Sequence, residues 1–231
     1  MANPPRKPQA WLALLLFVPV TSIGTFVNLH LAPGAIGWTV FGLGQIWVLV
    51  LPLLWLLWVE QGKPRVQLSG RGIGFGILSG LLIFGAILAA YWLIGTHWLD
   101  PAEIQAKVQQ IGRLNPSTYL LSSIYWSLFN SLAEEYSWRW FVYRQFEALL
   151  PRTPAIVLSA LAFTLHHIIG LAAYAEWRVV LLGSVGVFIG GALWSWSYQA
   201  YRSIWPSYIS HSLADIALAI VGWQLLFAQA A

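Results

Sequence analysis

An all-α, polytopic helical membrane protein is the fold class this sequence predicts, and three observations predict it. Several uninterrupted apolar stretches are long enough to cross a bilayer core, which takes about 20 residues per helix. Mean hydropathy is +0.68, with 58% hydrophobic and only 9% charged residues among 231, outside the range of soluble domains. The short alternating segments of about ten residues that a membrane β-barrel needs are absent.

In chain order, the first apolar stretch follows Arg6 and Lys7 and runs past Val20 to Leu31 with no small-x-small cleavage pattern, so it reads as a span and not a signal sequence. Further spans cover 35–59, 73–98, 117–138, 154–172, 177–200 and 205–228, giving seven transmembrane helices; an eighth span or a re-entrant piece near 170–180 is the alternative. Between the third and fourth spans, Asp100-Pro101-Ala102-Glu103 has capping-box spacing with proline at the first helical position. It opens an amphipathic helix with Ile104, Val108 and Ile111 on one face, ending in Gly112 to Asn115 and expected to lie flat on the membrane. Thr153 suits an N-cap and Pro154 a first helical position after the tight turn at Pro151. Gly72, Gly76 and Gly80, and Gly186 and Gly190, read as close-packing helix faces. No repeat or linker is visible, so residues 1–231 read as a single transmembrane domain with a catalytic core at about 117–220.

Charge follows topology. With the amino terminus in the cytoplasm, Arg6, Lys7, Lys63, Arg65, Arg71, Arg139, Arg144, Arg152 and Arg202 fall inside and Lys107, Arg113 and Arg178 outside, the asymmetry that orients multi-pass proteins of the plasma membrane. The net charge of +4 therefore carries no nucleic-acid inference. The absence of cysteine excludes disulfides and thiolate metal sites. Tryptophans such as Trp11, Trp38, Trp58, Trp92, Trp98, Trp177, Trp194, Trp196 and Trp205 suit interfacial belts.

Against this apolar background, three spans carry ionisable residues: Glu134, Glu135 and Arg139; His166 and His167; His211 and Asp215. An ionisable side chain at a helix centre costs about 2.5–3.5 kcal/mol on insertion scales, so these are functional candidates by default. Glu135 and Arg139 are four apart on one face and read as a structural ion pair. Glu134 is turned about 100° from Glu135 and is free to point elsewhere. By the same reasoning His166 and His167 do not face one point, and His166 reads as a packed histidine; His30 and His97 read as interfacial. If the fourth helix continues through Trp140 to Leu150, Glu134 and His167 are level across a hairpin about Pro151, each roughly 25 Å from the turn. His211 is only about 12 Å past the turn at Ser203, so all three meet only if that hairpin protrudes on the order of 10 Å further.

Glu134-Glu135-x-x-x-Arg139, Phe163-x-x-x-His167 and His211-x-x-x-Asp215 resemble, in order, the three motifs of the CPBP family, the CAAX prenyl endopeptidases and bacteriocin-processing (Abi-like) membrane proteases. The resemblance covers about 117–220. It implies catalytic roles for Glu134, His167 and His211, and a supporting shell of Glu135, Arg139 and Phe163. The chain departs from the prenyl endopeptidases proper at Asp215, where they carry asparagine; a carboxyl group there donates to an oxyanion only when protonated.

Peptide hydrolysis needs a base for water, an acid for the leaving amine and donors for the oxyanion. Glu134 with His167 would activate water, His211 would face the oxyanion, and Asp215 would assist there or fix the tautomer of His211. The implied substrate is a membrane-embedded or lipidated peptide, reached laterally or from the cytoplasmic face, and lipids are the other partners. No cofactor is expected. The alternative is a zinc-dependent protease on the same residues, although His-Glu-x-x-His is missing. A proton-relay transporter and a non-catalytic immunity-type membrane protein are the readings from other classes.

Overall fold

In the computed structural model, described for residues 6–62, 70–110 and 115–228, the chain is helical throughout, with no strand among those residues. The helices are α1 (Lys7–Leu31), α2 (Ala35–Val59), α3 (Ile73–Trp98), α4 (Pro101–Gln110), α5 (116–149), α6 (Arg152–Ala172), α7 (Trp177–Tyr201) and α8 (Trp205–Phe227). By length and composition α1, α2, α3, α6, α7 and α8 can each cross a membrane, six against the seven expected. The seventh expected span, 117–138, lies inside α5, whose Asn130, Glu134 and Glu135 set it apart in composition from the other six.

Local sequence explains the boundaries. Asn115 accepts the Thr118 amide at 3.1 Å and Pro116 follows it, so α5 starts with an orphan donor satisfied. No proline or glycine interrupts it, and it runs through Trp140 to Leu149 until Leu150 turns extended ahead of Pro151. The capping expectation for the next helix is corrected: α6 begins at Arg152 with Pro151 as N-cap, ahead of Thr153 and Pro154. Asp100 caps α4 as expected, accepting the amides of Ala102 at 2.9 Å and Glu103 at 3.4 Å. Of the residues expected on the apolar face of α4, Ile111 lies outside the described residues, as do Gly112, Arg113, Lys63 and Arg65.

Because lipid tails are as apolar as leucine, helices here associate through close packing and polar contacts. A Cβ on Gly76 would sit 2.5 Å from the Pro206 carbonyl oxygen, and one on Gly80 2.9 Å from the Ser210 Cα, so the glycine face of α3 seats directly on the backbone of α8. Gly76→Ala should destabilise the fold by about 1–3 kcal/mol, the usual cost of overpacking; unfolding in mixed detergent micelles measures it. In α7 the expected face is displaced. Gly186 meets open space, and the close approaches to α6 are Gly191 against Phe163 and Ala160 and Gly183 against Leu171.

The core is aromatic and lies where α1, α2, α5, α6 and α7 meet. Phe17 stands edge-on to Trp138 at 5.4 Å, and Trp138 edge-on to Phe163 at 5.4 Å. Trp58, Trp92 and Trp177 are well exposed on the bundle surface, but Trp194, expected in the belt, is buried in this core.

Alternating helix directions give the bundle two faces. At one, Arg144 pairs with Glu60 at 2.9 Å, and Arg202 grips both oxygens of Glu147 at 2.6 Å. The α7–α8 turn thus docks on the flank of α5 and not on the tip of the α5–α6 hairpin. At the other face, His30 bonds the Ile169 carbonyl at 3.0 Å, Gln105 the Leu225 carbonyl at 3.0 Å, and Lys107 the Tyr174 carbonyl at 3.4 Å. Those last two contacts tie α4 across the ends of α8 and α6.

Candidate active site

α5 supplies the carboxylates, and its backbone decides how they point. From Glu135 to Tyr143 the turns widen to i→i+5 hydrogen bonding, a geometry that recurs at functional sites. Glu134 points elsewhere than Glu135, as expected, meeting the two histidines of α6 while Glu135 meets Arg139, and both carboxylates also reach His211. Glu135 Oε1 accepts the Nδ1–H of His211 at 2.9 Å, and Glu134 Oε2 lies 3.6 Å from its Nε2.

Glu135 also receives Arg139 Nε at 3.2 Å, with both side chains fully buried, so the expected clamp is present. The guanidinium sits over the Phe163 ring at 4.6 Å and the Trp194 ring at 5.5 Å. Two aromatic faces thus take the place of water around a buried cation. Trp194 stacks on His211, with centroids 4.1 Å apart and planes at 17°, while its Nε1–H donates to Ser210 Oγ at 3.0 Å. The imidazole is held by a hydrogen bond at one edge and a ring on one face. Asp215 does not provide that edge contact: its Oδ2 is 3.8 Å from His211 Nε2 and accepts the Ser131 hydroxyl at 2.6 Å. The residue that orients His211 through Nδ1 is Glu135.

The hairpin partner α6 brings both of its histidines to Glu134, against the expectation for adjacent residues. Glu134, His166 and His167 each place one ligand atom within 4.8 Å of the others. The two rings lie 4.2 Å apart, tilted by 46°, which lets neighbours on a helix converge on one point. His166 Nε2 is 3.9 Å from Glu134 Oε1, and its ring stacks on Trp138 at 5.4 Å, so it is packed as expected and at the site as well. His167 Nδ1 lies 3.0 Å from the Phe163 carbonyl, which can only accept. That nitrogen therefore carries hydrogen and leaves Nε2 as the free acceptor of the neutral ring.

All five groups, Glu134, His166, His167, His211 and Asp215, line one cavity of about 680 Å³. Its walls are apolar and aromatic, with amides and hydroxyls from Asn28, Gln45, Asn130, Ser122 and Ser127. Sequence reasoning missed Ser131 and Trp194. Ser131 lies one helical turn before Glu134, a usable signal, whereas a tryptophan in an apolar span carries none.

The fold and site together define a class: an all-α membrane protein in which three helices bring carboxylates and imidazoles into one internal cavity. Within that class, residues 116–217 match the family of type II CAAX prenyl endopeptidase Rce1-like proteins, which bears out the CPBP resemblance over that stretch. The matched stretch contains all three motifs and runs from the first turn of α5 into α8. No curated protein and no solved structure matches the chain.

Proposed function

We propose that the protein is an intramembrane endopeptidase of the CAAX protease type that hydrolyses a peptide bond by glutamate-based acid–base chemistry, without a metal. One observation carries this reading. The Glu134 carboxylate faces imidazole nitrogens at 3.6 Å (His211) and 3.9 Å (His166), with His167 also within 4.8 Å, inside a cavity. Those separations exceed direct hydrogen bonds and suit one bridging water.

In the proposed cycle Glu134 takes a proton from that water, helped by the free acceptor of His167, and the water oxygen attacks the scissile carbonyl carbon. His211, aligned by Glu135, donates from Nε2 to the oxyanion. Collapse of the tetrahedral adduct breaks the C–N bond, and Glu134 returns its proton to the leaving amine. Asp215 and Ser131 hold the remaining edge of the site. The substrate is a membrane-embedded or lipidated peptide, as the family's name for its prenyl endopeptidases suggests. Arg6, Lys7, Arg71, Arg144, Arg152 and Arg202 gather at one set of helix ends, which supports a plasma-membrane protein with its amino terminus in the cytoplasm.

The convergence of Glu134, His166 and His167 favours one second reading, a zinc site on these three side chains. A bound zinc ion would polarise water in place of the carboxylate. Peptide cleavage by the purified protein should survive strong chelation, and the protein should carry no stoichiometric metal. Loss of activity on chelation, restored by zinc, would replace the glutamate reading with the metallo one.

A further inference from the structure

The cavity that holds the site is lopsided. Beyond the catalytic side chains its lining runs to the α1–α2 turn (Pro33, Gly34), the first turn of α5 (Thr118), the α6–α7 turn (Tyr174), the end of α8 (Leu226) and Val108 of α4. All of these belong to the face where α4 crosses the ends of α6 and α8. No residue of the opposite turns, at 60–62, 150–152 or 202–204, lines it. Those turns are closed by the pairs Arg144–Glu60 and Arg202–Glu147 and by the packing of Gly72 on Tyr201. Among the described residues the closed face carries Arg6, Lys7, Arg71, Arg144, Arg152 and Arg202, and the cavity face carries Lys107 and Arg178. The excess of basic residues marks the closed face as cytoplasmic.

The lining has a chemical bias too. It includes Glu134 and Asp215 and contains no lysine or arginine. An acidic side chain entering it would lose its hydration beside two carboxylates, and the one cation the proposed cycle places there, the His211 imidazolium, is already held by Glu135 at 2.9 Å.

We propose that the cavity is reached from the face opposite the basic one, and that it takes an extended, largely apolar peptide segment, free of acidic side chains, presented at the extracytoplasmic surface. This deepens the peptidase reading and rests on it for the nature of the ligand, but the direction of access stands independently. It departs from the cytoplasmic or lateral route expected from sequence.

The absence of cysteine makes access directly readable. Single variants Thr118→Cys and Ser122→Cys report the cavity, Arg152→Cys the closed face, and a membrane-impermeant charged methanethiosulfonate is applied to intact cells and to permeabilised ones. The expected result is labelling of Thr118→Cys and Ser122→Cys in intact cells and of Arg152→Cys only after permeabilisation. Every other pattern overturns the access route. Substrate class is read with the purified protein and a neutral apolar peptide, against the same peptide carrying two aspartates beside the scissile bond. Cleavage of the neutral peptide should be at least about tenfold faster; equal rates overturn the class. If no peptide is cut, the peptidase reading falls and the substrate class with it, whereas the labelling result is unaffected. Cleavage combined with labelling on the wrong face leaves hydrolysis standing and removes only the route.

Discussion

Glu134→Gln is expected to lower peptide hydrolysis by about 10²–10⁴-fold, the range a positioned general base contributes, while leaving the protein folded. The amide keeps the shape of the carboxylate but cannot take a proton from water. Glu134 tolerates the change structurally because its side chain keeps 18% exposure on the cavity wall, and its nearest imidazole nitrogens stand 3.6 and 3.9 Å away, so no direct hydrogen bond is lost. Turnover of a fixed peptide, measured beside thermal unfolding of the same preparation, checks both halves. Full activity in a folded Glu134→Gln protein would eliminate the glutamate mechanism.

The neighbouring carboxylate should behave in the opposite way. Arg139→Met leaves Glu135 as a buried carboxylate without its cation, and Glu135→Gln leaves Arg139 buried between Phe163 and Trp194 without its anion. Each single change is expected to destabilise the protein by about 3–5 kcal/mol, the cost of an uncompensated buried charge. The double variant should recover part of that loss, since it removes both charges together. Reversible unfolding in mixed micelles reads the three variants. Single losses below about 1 kcal/mol would mean that the pair is not a structural clamp. Because Glu135 also holds His211 Nδ1, Glu135→Gln should depress turnover even in the fraction that remains folded.

How far the site was legible depends on which property each residue exposes to sequence. Charge in an apolar helix is visible without coordinates, so Glu134, Glu135, Arg139, His167, His211 and Asp215 stood out, and their motif order pointed to the family that residues 116–217 match. The ion pair between Glu135 and Arg139 was legible because i,i+4 neighbours on a helix meet whatever the rest of the fold does. Direction was less legible. Ideal 100° steps separate Glu134 from Glu135, yet the two reach opposite nitrogens of His211. Nothing in a residue string announces that convergence, because it depends on where α8 places the imidazole between them. His166 was assigned to packing alone, and its approach to Glu134 came from the mutual tilt of two adjacent rings.

Trp194 shows the same limit from the apolar side. As a tryptophan near a span end it read as an interfacial anchor, but α7 turns it inward onto His211. The glycine pattern was legible in α3, where Gly76 and Gly80 admit the backbone of α8, and misplaced by position in α7, where Gly183 and Gly191 make the approaches and Gly186 does not. A glycine motif identifies a helix that can be approached closely, and the partner decides where along it.

By itself, then, the sequence determined that this chain is a bundle of apolar helices, which residues in it carry charge, and which family its carboxy-terminal half resembles. These follow from composition and from spacing along one helix, and both are local quantities. Only the tertiary structure decided which nitrogen faces which carboxylate, that Glu135 and not Asp215 aligns His211, and which helix ends line the cavity. Those are relations between helices, and they depend on ring tilts and close backbone contacts that arise only when the helices pack.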